Sequence, residues 1–148
     1  MTPASSGAPI DVLLVEDSRE DVELTLHALQ AAKIRNRVHV ARDGEDALDF
    51  LFQRGPHTKA PTPDLILLDL NLPKVDGREI LAQIKSDDRL GRIPVIVVTS
   101  SQAEEDIAKT YRLHANAYVT KPIDPAVFLR AVNAIGQFWL EIVRLPRP

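Results

Sequence analysis

The stretch PDLILLDLNLPKVDG, Pro63 to Gly77, constrains the fold more than any other part of the chain. Leu65 to Leu68, with Leu70 beyond, form a continuous apolar run rather than an alternating one. A strand with one face in water alternates, whereas a strand covered on both faces is apolar throughout. Asp69 falls inside that run, and an ionised carboxylate is costly to bury without a partner. It therefore belongs at the carboxyl end of the strand, where the chain leaves the core.

The rest of the sequence supplies the elements that would cover such a strand. DVLLV (11–15) is a second apolar run, ending in Glu16, Asp17 and Ser18. Ser18 suits a helix N-cap, with Glu20 and Asp21 favourable at the positive end of the helix. Val22, Leu26 and Leu29 then share a face through about Ala32. RVHVAR (37–42) alternates like a half-buried strand, and Asp43-Gly44 turns into a helix with Ala47, Leu48, Leu51 and Phe52 inward. A Pro-rich loop (54–64) precedes the opening stretch, after which Ile80, Leu81 and Ile84 mark a helix face. IPVIVVTSS (93–101) is a fourth strand, followed by a polar helix from about Ala103 to Leu113. AYVTKP (117–122) is a short fifth strand. Asp124 caps a last helix with Pro125 in its first turn, expected to run to about Val143. Val127, Phe128, Ala131, Val132 and Ile135 are placed to face the sheet.

Strands alternating with helices predict an α/β fold, a doubly wound parallel sheet of five strands with five helices. In such sheets ligands bind beyond the carboxyl ends of the strands. Glu16 and Asp17, Asp69, Thr99 and Lys121 all fall at those ends and converge on one rim. Acids crowded together raise one another's pKa unless a cation sits among them. Oxygen donors without nearby His or Cys favour a hard cation such as Mg²⁺. A carboxylate beside such an ion is a candidate phosphoryl acceptor. A lysine ammonium and a hydroxyl are suited to stabilising charge on the phosphoryl oxygens.

Four segments in order, VLLVEDS, PDLILLDLNLPKVDG, IPVIVVTS and AYVTKP, resemble the receiver domains of two-component response regulators. The likeness covers Val12 to about Val143. The steps of 30 residues from Asp69 to Thr99 and 22 from Thr99 to Lys121 fit that family's layout. FWLEIVRLP (138–146) further resembles single-domain regulators associated with bacterial phytochromes. The resemblance implies a flavodoxin- or CheY-like sheet in strand order 2-1-3-4-5. It implies phosphorylation of Asp69 by a sensor histidine kinase, and Mg²⁺ held by Asp17 and Asp69, by Glu16 through water and by the Asn71 backbone carbonyl. Glu16 departs from the commoner aspartate, a frequent variant. Thr99 is implied as the switch hydroxyl, Lys121 as the phosphoryl counter-ion, and Tyr118 as the switch aromatic.

Plainer roles stand beside these. A lone strand-end Asp caps helices, Glu16 and Asp17 sit where caps do, Lys121 suits a turn, and a half-buried Tyr118 needs no special role. His27, His39, His57 and His114 are scattered and read as ordinary surface or core residues. Haloacid-dehalogenase phosphatases share the strand-end Asp, the Lys and the Mg²⁺. They place a second acid two residues after the nucleophile, where this chain has Asn71. Neither a GK[ST] loop nor a G-x-G-x-x-G occurs. Signalling without turnover of an external substrate is therefore expected.

At 148 residues, with 45% hydrophobic content and net charge −3, the chain suits one globular domain without a nucleic-acid surface. Cysteine is absent, which excludes disulfides and thiolate chemistry. No signal peptide or bilayer-length apolar run is visible, so a cytoplasmic location is expected. The expected layout is a disordered lead-in over 1–9 and a receiver domain over 10–148, with a helical extension from about 136. No output domain is expected, so output would be a protein contact or phosphotransfer to a histidine phosphotransfer protein. Phe138, Trp139, Ile142, Val143 and Leu145 form a dense apolar set, expected to be the interface of a homodimer.

Overall fold

The continuous apolar runs fold as a parallel sheet whose alternate residues feed two separate cores. The strands are β1 (Ile10–Val15), β2 (Asn36–Ala41), β3 (Leu65–Leu68), β4 (Val95–Thr99) and β5 (Ala117–Thr120). They are hydrogen-bonded in the order β2-β1-β3-β4-β5, every pairing parallel, as expected. The helices are α1 (Arg19–Ala31), α2 (Gly44–Leu51), α3 (Gly77–Ser86) and α4 (Pro125–Ala134). The computed structural model describes residues 10–31, 36–100, 115–121 and 123–134, with Thr99 and Asn133 by backbone alone. The lead-in, the helix expected over 103–113, and the segment carrying Phe138, Trp139, Ile142, Val143 and Leu145 lie outside the described residues.

Leu13, Val15, Ile66, Leu68, Val95 and Val97 form one core with α2 and α3. Val12, Leu14, Leu65, Leu67, Ile96 and Val98 form the other with Val22 and Leu29 of α1 and Phe128 and Val132 of α4. Each of the four residues of β3 is fully buried, worth roughly 1.5–3 kcal/mol apiece relative to exposure. This is why that strand carries no polar alternation. Among the described residues β2 is an edge strand, and its intermediate and exposed positions match its mixed sequence.

Several side chains depart from the expected faces. Thr25 and Ala28 are buried on α1, whereas Leu26 is 38% exposed. The buried stripe is narrow and centred on the Val22–Thr25–Leu29 ridge, so Leu26 falls at its edge. On α4, Val127 is likewise 38% exposed while Phe128 is buried. Phe50 is buried in α2, and Phe52 lies just past the helix, half-buried against the same core.

The caps follow the sequence closely. The Ser18 hydroxyl accepts the Asp21 N–H at 3.2 Å, and Asp43 accepts the Asp46 N–H at 2.8 Å. Asp124 accepts the N–H groups of Ala126 and Val127 at 2.8 and 3.1 Å. Each satisfies donors that a helix start leaves orphaned.

The first residue of α3 packs directly on the residues that follow β3. The Gly77 N–H donates to the Leu70 carbonyl at 3.0 Å. A Cβ on Gly77 would lie 2.4 Å from the Asp69 carbonyl oxygen and 2.5 Å from the Leu70 Cα. Neither neighbour is a side chain that can swing away. Gly77→Ala is therefore expected to cost roughly 1–3 kcal/mol of stability, the usual range for forced overpacking. Urea denaturation of the variant checks this, and an unchanged midpoint would contradict it.

Candidate functional site

Sheet register builds the site. Val15 of β1 is paired with Leu68 of β3, so the residues that follow them, Glu16 and Asp69, emerge side by side. The ladder runs one step further through the Asp69 N–H to the Val15 carbonyl at 3.1 Å and the Glu16 N–H to the Ala41 carbonyl at 2.9 Å. The backbone at both acids is therefore fixed. Asp69 and Glu16 are 4% and 2% exposed, the buried acids of the described residues. Asp17, the next residue, is exposed.

Lys121 reaches this pair from the far end of β5. Its Nζ donates to Glu16 Oε1 at 2.7 Å, to Asp21 Oδ2 at 2.8 Å and to Asp69 Oδ2 at 2.9 Å. An ammonium has three donors, and here each has a carboxylate. Asp69 Oδ1 accepts the Asn71 N–H at 2.9 Å, and Glu16 Oε2 accepts the Ser18 N–H at 3.2 Å.

The electrostatics follow from this crowding. Burial pushes the Glu16 carboxyl up, and the charge of Asp69 adds to it. The Lys121 and Ser18 hydrogen bonds oppose the rise, leaving Glu16 at about 7. Burial also acts to lower Lys121, but its bonds to Asp21, Glu16 and Asp69 outweigh it and hold the ammonium above the ordinary lysine range.

Ligand oxygens of Glu16, Asp17 and Asp69 all lie within 4.8 Å of one another. A set of oxygen donors this close, one of them reluctant to ionise, suits a hard divalent cation. Lys121 is the cation among the acids in this structure. Thr99 ends β4 in register with Thr120 of β5, at the same rim, and only its backbone is described. Tyr118 is half-buried and packs against the core shared with α2 and α3. Sequence reasoning thus brought Glu16, Asp17, Asp69 and Lys121 to one site. It missed Asp21, which read as a helix-end acid. The signal available was the position of Asp21 one turn after Glu16 and Asp17, at the start of the same helix.

A parallel sheet in this order with buried acids and a lysine at the carboxyl rim defines a class of signalling module. The chain belongs to the response regulator receiver domain family, whose pattern matches residues 12–133. It is 47% identical over 141 residues to response regulator Rcp1 of Synechocystis sp., covering 95% of this chain and 96% of that protein. Among solved structures it is similar to the phosphorylated cyanobacterial phytochrome response regulator RcpA, with a TM-score of 0.77 and 46% identity, covering 95% of this chain and 100% of that one. It is also similar to the Mn(2+)-bound form of Rcp1, with a TM-score of 0.76 and 47% identity over 94% of this chain and 100% of that one. Among the described residues, no helix is long and apolar enough to cross a membrane.

The raised Glu16 carboxyl has a measurable consequence. Its protonated form favours the metal-free fold, a contribution complete below the ordinary value of 4.5 and lost as pH rises through about 7. A divalent cation requires the ionised form, so binding should release a proton. Affinity for Mn²⁺ or Mg²⁺ is expected to rise roughly tenfold between pH 6 and pH 8, as the ionised share of a carboxyl at about 7 climbs from roughly a tenth to roughly nine tenths. Glu16→Gln should flatten the slope. Calorimetric titrations at the two pH values check this, and equal slopes in wild type and variant would contradict it.

Proposed function

We propose that this chain is a response regulator receiver that takes a phosphoryl group from a sensor histidine kinase onto Asp69. The observation that carries the reading is the Asp69 carboxylate, buried at a strand end and facing Lys121 Nζ at 2.9 Å beside two further acids. In the transfer, an Asp69 oxygen attacks the phosphorus of a phosphohistidine. A P–O bond forms, the P–N bond breaks, and the imidazole leaves with its electron pair and takes up a proton. The product is an acyl phosphate on Asp69.

The donor set fits Mg²⁺: Asp17 and Asp69 would hold it directly, Glu16 would hold it through water, and the Asn71 carbonyl would complete the protein's share. When bound, the ion neutralises charge on the phosphoryl oxygens. Lys121 holds a fixed positive charge at the same oxygens and costs no reorganisation when the charge arrives. The Asn71 N–H and the rigid ladder keep the acceptor oriented. Thr99 is the hydroxyl that moves toward the phosphoryl group, and Tyr118 is the aromatic whose rotamer follows. The protein catalyses its own phosphorylation from the donor and its own dephosphorylation by water.

The names of its relatives make a phytochrome the first kinase to test. The cytoplasm is the compartment this partner requires. Output is a protein contact or onward transfer to a histidine phosphotransfer protein. Residues 10–148 act as one receiver unit, with the segment from Phe138 to Leu145, including Trp139, Ile142 and Val143, as the homodimer interface.

Asp69→Asn is expected to abolish phosphoryl uptake from acetyl phosphate and the backbone response to beryllofluoride with Mg²⁺. Lys121→Ala should keep the fold and weaken that response. Phosphate acceptance by the Asn variant at the wild-type rate would overturn the assignment. For assembly, sedimentation equilibrium should show a dimer that is lost on truncation after Gln137. A wild type that stays monomeric at high micromolar concentration would remove the dimer from the proposal.

A further inference from the structure

Asp21 has a contact that its place in α1 does not require. Ser18 is the N-cap and Asp21 stands three residues on, the positions of a capping box. In that motif the acid reaches back to the N–H of the capping residue. Here the Ser18 N–H goes to Glu16 Oε2 at 3.2 Å. The Asp21 carboxylate is released from capping and meets Lys121 Nζ at 2.8 Å, across 100 residues of sequence. Half of the motif is kept, since the Asp21 N–H still donates to the Ser18 hydroxyl, and that bond fixes the backbone from which the carboxylate extends.

The three partners of Lys121 differ in what else claims them. Glu16 and Asp69 belong to the group of oxygens close enough to share a cation, and Asp21 does not. An ion seated among Glu16, Asp17 and Asp69 competes with the ammonium for two of its three carboxylates. Asp21 is the partner left. It is 31% exposed at its side chain, against 13% for Lys121, so it grips the ammonium from the solvent side and opposes its escape along that path. A lysine stem is flexible and its ammonium strongly hydrated, so without this partner it would relax toward water once the metal site filled.

We propose that Asp21 is a positioning residue that keeps Lys121 aimed at Asp69 when a divalent cation occupies the acidic site. This deepens the phosphoacceptor reading and rests on it for the role of Lys121, although the anchoring itself requires no phosphorylation. The ammonium can be followed directly by proton–nitrogen NMR of the full chain at low temperature, with the Lys121 signal identified by its loss in Lys121→Ala. Wild type should give a protected Lys121 signal both without metal and with saturating Mg²⁺. Asp21→Asn should keep it without metal and lose it with Mg²⁺, and Asp21→Glu should restore it. A purely structural effect on α1 would lower the melting temperature without making the signal depend on Mg²⁺. In parallel, Asp69 phosphorylation by acetyl phosphate should slow roughly tenfold in Asp21→Asn and recover in Asp21→Glu, the order lost when an orienting partner is removed.

A signal that survives Mg²⁺ in Asp21→Asn overturns the proposal. So does a wild-type signal that vanishes with Mg²⁺ or is absent without it. A wild type with the Mg²⁺-resistant signal but no phosphoryl uptake would instead overturn the phosphoacceptor reading and leave the anchoring intact.

Discussion

Two like charges set side by side by a β-ladder are the constraint around which this domain is arranged. The pairing of Val15 with Leu68 leaves Glu16 and Asp69 no freedom to move apart, because both backbones are hydrogen-bonded to the adjoining strand. Burial, with the Asp69 charge beside it, makes the Glu16 carboxyl reluctant to ionise. The fold meets that cost with a cation from the opposite edge of the sheet, bonded to both acids and to Asp21. Helix α3 closes the site from another side, so tightly at Gly77 that no side chain fits between helix and strand. Charge and packing are thus answers to one register choice.

Much of this was legible in the sequence, for a definite reason. The uninterrupted run Leu65–Leu68 requires cover on both faces, and Asp69 at its end can only be a rim residue. Ser18, Asp43 and Asp124 are caps because their side chains act on donors a few residues away. Such local chemistry is written locally. The faces of the helices were less legible. Spacing gives the period of an apolar stripe but not its width or phase, and Leu26 and Val127 sit where the period allows burial but the neighbouring layer does not reach.

Asp21 was hidden for a different reason. An acid in the first turn of a helix already has a sufficient local explanation in the helix dipole and the capping box. Its actual partner is 100 residues away, and the nearby Glu16 and Asp17 mark the rim but not that contact. The same holds for the raised Glu16 carboxyl. The crowding of acids was foreseeable from their positions at strand ends, but burial contributes most to the rise, and burial is a property of the assembled layers.

The placement of Lys121 bears on how the chain comes together. The acids follow β1 and β3 or open α1, while their counter-ion follows β5, which among the described residues is an edge strand paired with β4. A chain folded only as far as β4 would hold Glu16 and Asp69 adjacent with no positive group from β5 between them. Docking of β5 therefore adds neutralisation to the hydrogen bonds and apolar contacts that any edge strand gains. Lys121, which follows β5, relieves the repulsion, so the native charge arrangement appears only once β5 has docked. The acidic cluster is in this sense also the domain's check on its own completion.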